Sequence, residues 1–323
     1  MVGQDNIRED LLINIRASAN AERMLEHTFF GGGYGLGKST AARWVAEQIG
    51  NYFKSNVDFR KAKTGSEIKD EDTLLYFIQD VELDTYKILF IDEAHSLPKK
   101  LIGTLNTYLD HLANKEPIAG QIHRPVTLIM ASEFESKLEH SLRSRCVHSY
   151  ILEPYSVEGL IAVQVFHLDN IMQNFKYDGD IPDYTLRYIA ERSRQVARYA
   201  VNYLQKAIKE AQVKNIKELD IKTVQNMFDR IGVGEYGLCK QEQAILWHLY
   251  ITTTREHAGH PISINSLAEQ MSIAKESILK DYEPFLNTLG LISIRKGRTL
   301  SQKGLKFVKE NPKLKEVYES WRN

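Results

Sequence analysis

Cysteine is scarce: two residues in 323, Cys146 and Cys239, far apart in the chain. That excludes a disulfide framework and a Cys-rich zinc site, and it points to a reducing compartment. Long apolar runs are missing as well. No segment approaches the roughly 18 apolar residues a membrane helix needs, and the opening MVGQDNIRED lacks a signal-peptide core. The expectation is a cytoplasmic protein with no membrane partner. Net charge is absent too, since 42 Lys plus Arg balance 42 Asp plus Glu. No global field draws the molecule onto nucleic acid, so any DNA contact has to come from a local patch. With 43% hydrophobic and 26% charged residues, neither a disordered nor a fibrous chain fits, and the length suggests about two to three domains.

The balanced charge is unevenly distributed. Gly290 to Lys309 holds Arg295, Lys296, Arg298, Lys303, Lys306 and Lys309 with no acid, whereas Glu67 to Glu93 carries nine acids against Lys69 and Lys87. Hydrophobic patterning divides the chain further. Helical spacing over Ile7 to Glu26 precedes a short strand at His27 to Phe30, a Gly-rich loop, and a helix ending near Gly50. Two more buried strands are expected at Lys87 to Ile91 and Val126 to Ala131, giving an α/β parallel sheet covered on both faces. Beyond Pro154 the patterning is helical, with Asp220 opening a short helix and GVGEYG (Gly232 to Gly237) marking a boundary. Helices at Lys240 to about Arg255, Ser263 to Met271 and Ala274 to Leu289 follow, the last stopped by Gly290, and then two short extended pieces joined by a KGR turn. That order predicts a winged helix. The expected domains are a large α/β domain over 1–153, a helical domain over 154–236, a winged helix over 237–310 and a tail over 311–323.

The strongest motif is Gly32-x4-Gly37-Lys38-Ser39. Backbone N–H groups of a loop spanning Gly32, Gly33, Tyr34, Gly35, Leu36, Gly37, Lys38, Ser39 and Thr40 can converge on phosphates at a helix start. Lys38 would neutralise the β and γ phosphates of ATP, and the Ser39 hydroxyl would reach Mg²⁺. In ILFIDEAH, Asp92 at a strand end is suited to hold Mg²⁺ through its hydration shell and Glu93 to polarise an attacking water. A Gly-rich turn can be purely structural, and paired acids can be a solvated strand end; the strand before the loop and the helix after it favour the nucleotide reading. His95, from the same motif, is given no role. After the third strand, Ser132 or Glu133 is placed to sense the γ-phosphate, with Ser132 preferred because a carboxylate there is unfavourable. Arg143 and Arg145 follow; an arginine of this kind is more often a surface ion-pair residue.

Assembled, these segments resemble the bacterial RuvB family of Holliday-junction branch-migration motors, which are AAA+ ATPases. The resemblance runs over about 300 residues and rests on VGQ (Val2 to Gln4), GLGKST, LFIDEAH, LRSRC, RSRQVARYAVN, YEPFLNTLGLI and RKGR. It implies the roles given above for Lys38, Ser39, Asp92 and Glu93, with Arg145 acting on a neighbouring subunit's nucleotide and Arg198 reaching the nucleotide from the lid. It further implies a hexameric homo-oligomeric ring, duplex or four-way-junction DNA held through Arg295, Lys296 and Arg298, and a RuvA-like junction-binding partner. Departures are visible. Gly33 and Tyr34 stand where the family usually has prolines, Ser132, Glu133 and Phe134 replace a threonine-rich strand end, and Ala113 to Val126 is shorter than the family's partner-docking hairpin. A clamp-loader-like or helicase-loader ATPase is the alternative, followed by a nucleotide-switched regulator and a non-hydrolysing scaffold.

Overall fold

The computed structural model describes residues 1–64, 67–78, 85–114, 126–253 and 261–322. The chain forms two compact units: Met1–Ile171 with Gln195–Tyr203, and Met172–Arg194 with Leu204–Asn323.

The first unit is built on a parallel sheet. In chain order its elements are α1 (Asp5–Asn20), β1 (Thr28–Gly31), α2 (Lys38–Phe53), β2 (Asn56–Lys63), α3 (Glu71–Ile78), β3 (Thr85–Asp92), α4 (Lys99–Asn114), β4 (Thr127–Ser132), α5 (His140–Arg143) and β5 (His148–Ile151). The sheet order is β2-β3-β4-β1-β5, with every pairing parallel. The three central strands are buried on both faces, which is why they read as nearly unbroken apolar runs. Phe29, Leu89, Ile91, Leu128 and Met130 pack on one face with Leu101, Leu105 and Leu109 of α4 and Leu74 of α3. Phe30, Ile88, Phe90 and Ile129 alternate onto the other face, where α2 packs on the sheet and α1 packs on α2. The two edge strands are not predicted by the sequence pattern. Asn56–Lys63 is too charged and β5 alternates half-buried with exposed positions, as suits strands with one open side.

After α6 (Val157–Phe175), the helical region continues with α7 (Asp183–Glu191), α8 (Ala197–Val213) and α9 (Ile221–Ile231). Asp220 caps α9 by accepting the Thr223 N–H at 2.8 Å, and Gly232 ends it in the left-handed conformation.

The remainder of the second unit is a winged helix: α10 (Lys240–Ile251), α11 (Ile264–Met271), α12 (Lys275–Ser277), α13 (Glu283–Thr288), β6 (Ile292–Ile294), β7 (Arg298–Leu300), α14 (Gln302–Glu310) and α15 (Lys313–Arg322). The single helix expected over Ala274 to Leu289 is broken by a π stretch at Ile278–Tyr282. Pro284 at the start of α13 has no N–H to return to the preceding turn, so the ladder widens there. Ile262 bridges Arg298 through two backbone hydrogen bonds, giving the small sheet a third member. Leu314 and Tyr318 of α15 are buried in the winged-helix core, and the Tyr318 hydroxyl meets His248 Nδ1 at 3.0 Å.

Candidate functional site

In a parallel α/β sheet the strands' C-terminal ends open onto a common edge where ligands sit, and β1, β3 and β4 end there as neighbours. β1 leads directly into the Gly-rich loop. Gly32 has φ 129°, and a Cβ on it would lie 2.7 Å from the Leu152 carbonyl oxygen, so only glycine fits. Gly37, also at positive φ, precedes α2, whose first turn has no side-chain cap. Its N–H groups therefore remain for an anion.

A cavity of about 700 Å³ opens over this loop, a size suited to a nucleotide. Tyr34, Gly35, Gly37, Lys38, Ser39 and Thr40 line its loop side, and Asp92, Glu93 and Glu133 bring carboxylates from the strand ends. Apolar walls come from Val2, Leu152, Tyr155, Val163, Phe166 and Val201. Trp44 also lines it. Leu36 points inward and is buried, so its contribution to a ligand is limited to its backbone.

Lys38 is 8% exposed, and its Nζ donates to the carbonyls of Gly32 at 2.6 Å and Gly33 at 2.9 Å. Burial pulls its pKa below the usual lysine value, opposed by the nearby carboxylates of Glu133, Glu93 and Asp92. The Ser39 hydroxyl donates to Asp92 Oδ2 at 3.1 Å. Burial alone would raise the Asp92 carboxyl, but hydrogen bonding and charge from Lys61, together with Ser39, outweigh it and hold it below its ordinary value. An ionised carboxylate beside a hydroxyl is a hard oxygen pair that fits Mg²⁺, an ion that usually takes one or two protein ligands plus phosphate and water. Among the described residues there is no cluster of three or more His, Cys, Asp or Glu able to hold a metal unaided.

Glu93 adopts φ 56°, ψ 40°, a conformation fixed by Thr64, whose hydroxyl donates to the Glu93 carbonyl at 2.6 Å and whose N–H bonds to the Asp92 carbonyl. His95 joins the site unannounced by the sequence reading. Its Nδ1 lies 3.5 Å from Glu93 Oε2 and 2.9 Å from the Ser132 hydroxyl, so it links the candidate base to the candidate sensor. Ser132 is fully buried and also accepts the Phe134 N–H at 3.1 Å. Glu133 lines the cavity, so the carboxylate disfavoured on charge grounds does face the phosphate region.

The two arginines divide. Arg198 lines the cavity with its guanidinium carbon 4.1 Å from the Tyr34 ring centroid. Arg145 is outside the cavity lining, held by Asp110 through bonds of 2.7 and 2.8 Å and by the Ser141 carbonyl. Neighbouring Arg143 pairs with Glu135. Cys146 packs against the sheet-domain core, its thiol pushed up to about 12 by burial.

In the winged helix, Arg295 and Lys296 are exposed on the turn between β6 and β7. Arg298 does not join them. Its guanidinium makes two bonds, 2.9 and 3.0 Å, to the Glu283 carboxylate, with side chains only 13% and 7% exposed. Assigning Arg298 to DNA is therefore corrected: alternation along β7 turns it inward, where a buried acid takes up its charge. The short 113–126 region falls largely on residues 115–125, outside the described residues. Among the described residues, no helix is long and apolar enough to cross a membrane.

Comparison with known proteins gives this arrangement a family. Residues 1–150 match the model for the Holliday junction DNA helicase RuvB P-loop domain, and residues 235–309 match the RuvB C-terminal winged helix domain. The Holliday junction branch migration complex subunit RuvB of Fervidobacterium nodosum is 27% identical over 319 residues, covering 96% of this chain and 86% of the relative. Its counterpart from Lactobacillus delbrueckii subsp. bulgaricus is 28% identical over 316 residues, covering 94% and 87%. Among solved structures, the Thermotoga maritima RuvB Holliday junction branch migration motor superposes with a TM-score of 0.71 at 23% identity, covering 95% of both chains. The Aeropyrum pernix Orc1 protein, solved with DNA, shares the fold more distantly, with a TM-score of 0.55 at 13% identity over 98% of this chain and 94% of that one. With the P-loop and winged-helix models of one family matched in that order, and relatives aligned along almost the whole length, this chain belongs to the RuvB family of AAA+ ATPases.

Proposed function

We propose that this protein is an ATP-driven motor that moves duplex DNA at recombination junctions, working as a homo-oligomeric ring, a hexamer, with ATP at each subunit boundary. The observation that carries the reading is the convergence of Lys38, Ser39, Asp92 and Glu93 in one cavity of a RuvB-family chain. Lys38 exchanges its loop carbonyls for the β and γ phosphates. Ser39 and Asp92 hold Mg²⁺, which when bound neutralises charge on the phosphates. Glu93 takes a proton from the attacking water, Arg198 registers loss of the γ-phosphate from the cavity wall, and Ser132, buried behind it, takes part through its contact with His95. Arg145 leaves Asp110 to stabilise the transferring phosphoryl group of the neighbouring subunit. Residues 1–153 carry hydrolysis, 154–236 form the lid and 237–310 grip DNA, with 311–323 packed back onto that last part. Arg295 and Lys296 hold the DNA backbone, a contact that needs no sequence readout, and a RuvA-like protein brings the ring to the junction.

The test is ATP turnover of the purified chain with no DNA, linear duplex or a four-way junction. Stimulation by DNA, greatest with the junction, that disappears in Glu93→Gln is expected. Turnover indifferent to every DNA refutes the motor.

A further inference from the structure

Ser39 and Asp92 are the side chains assigned to the divalent cation, yet in this structure a cation from the protein itself meets both. Lys61 stands on the edge strand β2, paired in register with β3 so that it lies opposite Phe90. Its Nζ is 2.9 Å from Asp92 Oδ2 and 3.3 Å from the Ser39 hydroxyl oxygen, and that hydroxyl is itself 3.1 Å from the same carboxylate oxygen. The Nζ also sits 5.5 Å from the Phe90 ring centroid, and Lys61 lines the nucleotide cavity. The chain thus places an ammonium on the oxygens that a metal needs.

The two cations cannot share those oxygens. Mg²⁺ requires ligands at about 2.0–2.1 Å, so an ion bound to the Ser39 oxygen and held by Asp92, directly or through its water shell, would sit within a few ångströms of Nζ, placing like charges in near contact. The Lys61 side chain is 36% exposed, which leaves it a route out. A lysine suits such a role, being a compact charge on a flexible four-carbon stem, whereas the planar fork of an arginine would clamp the carboxylate more rigidly.

We propose that Lys61 is a tethered counter-ion that competes with the divalent cation for Asp92 and Ser39 and so sets how strongly nucleotide binding depends on metal. The inference rests on the reading of Ser39 and Asp92 as the metal ligands. Without the divalent ion, Lys61 neutralises Asp92, so a metal-free nucleotide meets less uncompensated negative charge. With it, Lys61 is displaced, and the energy of that displacement is subtracted from metal affinity.

The test uses the full-length chain saturated with ADP and titrated with Mn²⁺, free ion being counted by electron paramagnetic resonance. ADP affinity is measured in parallel by calorimetry in Mg²⁺ and in EDTA. Lys61→Met is expected to bind Mn²⁺ at least tenfold more tightly than the wild type and to lose at least fivefold in ADP affinity in EDTA. Lys61→Gln, which keeps a polar group on the strand, should behave alike and separates the effect from misfolding. Lys100→Met, which removes the same charge from an exposed position on α4, should match the wild type in both measurements. If Lys61→Met and Lys61→Gln stay within twofold of wild type while Asp92→Asn abolishes Mn²⁺ binding, the metal site stands and the competition is refuted. If Asp92→Asn binds Mn²⁺ as the wild type does, the metal assignment and the proposal fall together.

Discussion

Arg298 offers a sharp test, because the basic sequence around it and the fold assign it opposite duties. Its guanidinium and the Glu283 carboxylate are 13% and 7% exposed and share two hydrogen bonds. Around them lie Ile245, Leu249, Leu267, Ile278, Leu286 and Ile292. Arg298→Ala leaves the carboxylate buried without a partner, which costs about 3–5 kcal/mol when one side of such a pair is removed. For a domain whose total stability is roughly 5–15 kcal/mol, that is a large fraction. The double variant Glu283→Leu, Arg298→Met replaces the pair with apolar bulk and should recover most of the loss. The assay is urea unfolding in a Trp44→Phe background, so that fluorescence reports only Trp247 and Trp321, both packed on the winged-helix core. Arg295→Ala and Lys296→Ala, at exposed positions, should leave that transition within about 0.5 kcal/mol while each lowers the salt dependence of DNA binding by a slope of about one. If Arg298→Ala unfolds at the wild-type urea concentration and weakens DNA binding as its neighbours do, the inward assignment is wrong.

Three further outcomes are expected. Glu93→Gln should lower turnover by roughly 10²–10⁴-fold with nucleotide affinity within a few-fold of wild type, measured by steady-state kinetics and calorimetry; parallel loss of binding would count against Glu93 as the base. Glu93→Gln and Arg145→Ala should each be inactive alone, but an equimolar mixture of subunits should regain about a quarter of wild-type turnover, because one in four head-to-tail interfaces pairs an intact Glu93 with an intact Arg145; an inactive mixture would deny Arg145 its action across subunits. His27 should make the sheet domain sensitive to acid. Burial first, and Arg145 second, lower its pKa to about 4 from 6.5, and its Nδ1 accepts the Leu128 N–H at 3.1 Å, which requires an unprotonated ring. With the folded value below the unfolded one, its stability contribution is complete above pH 6.5 and is lost as pH falls toward 4. The loss amounts to about 3 kcal/mol at about 1.4 kcal/mol per pKa unit. Urea midpoints measured across that window should show a steep acid limb that His27→Gln flattens.

The sheet was readable where burial is complete. Phe29, Phe30, Ile88 to Ile91 and Leu128 to Ala131 have no solvent side, so their apolar runs, the Gly-rich loop and the Asp92–Glu93 pair stand out from sequence alone. The edge strands escaped because one open side lets Asp58, Arg60 and Lys61 occupy β2 and polar residues alternate in β5. The site was legible in the same uneven way. Lys38, Ser39, Asp92 and Glu93 carry their chemistry in local motifs. Lys61 meets Ser39 and Asp92 only because β2 lies beside β3 in a particular register, and no local pattern encodes that. Arg298 was miscounted as a surface charge because Glu283, fifteen residues upstream, reaches it only through the tertiary fold. His95 had a local signal, three residues after Asp92, but its use depends on Ser132 from another strand.

The turn that presents Glu93 has an evolutionary corollary. A side chain held at φ 56° carries backbone strain of about 1 kcal/mol that glycine would not. Thr64 fastens the turn in place, so the carboxylate proposed as the base is kept against the local preference of its own backbone. Variants chosen for heat tolerance alone should therefore accumulate glycine or asparagine at position 93 and emerge as sturdier proteins that no longer hydrolyse nucleotide. Durability and turnover pull against each other at this one residue.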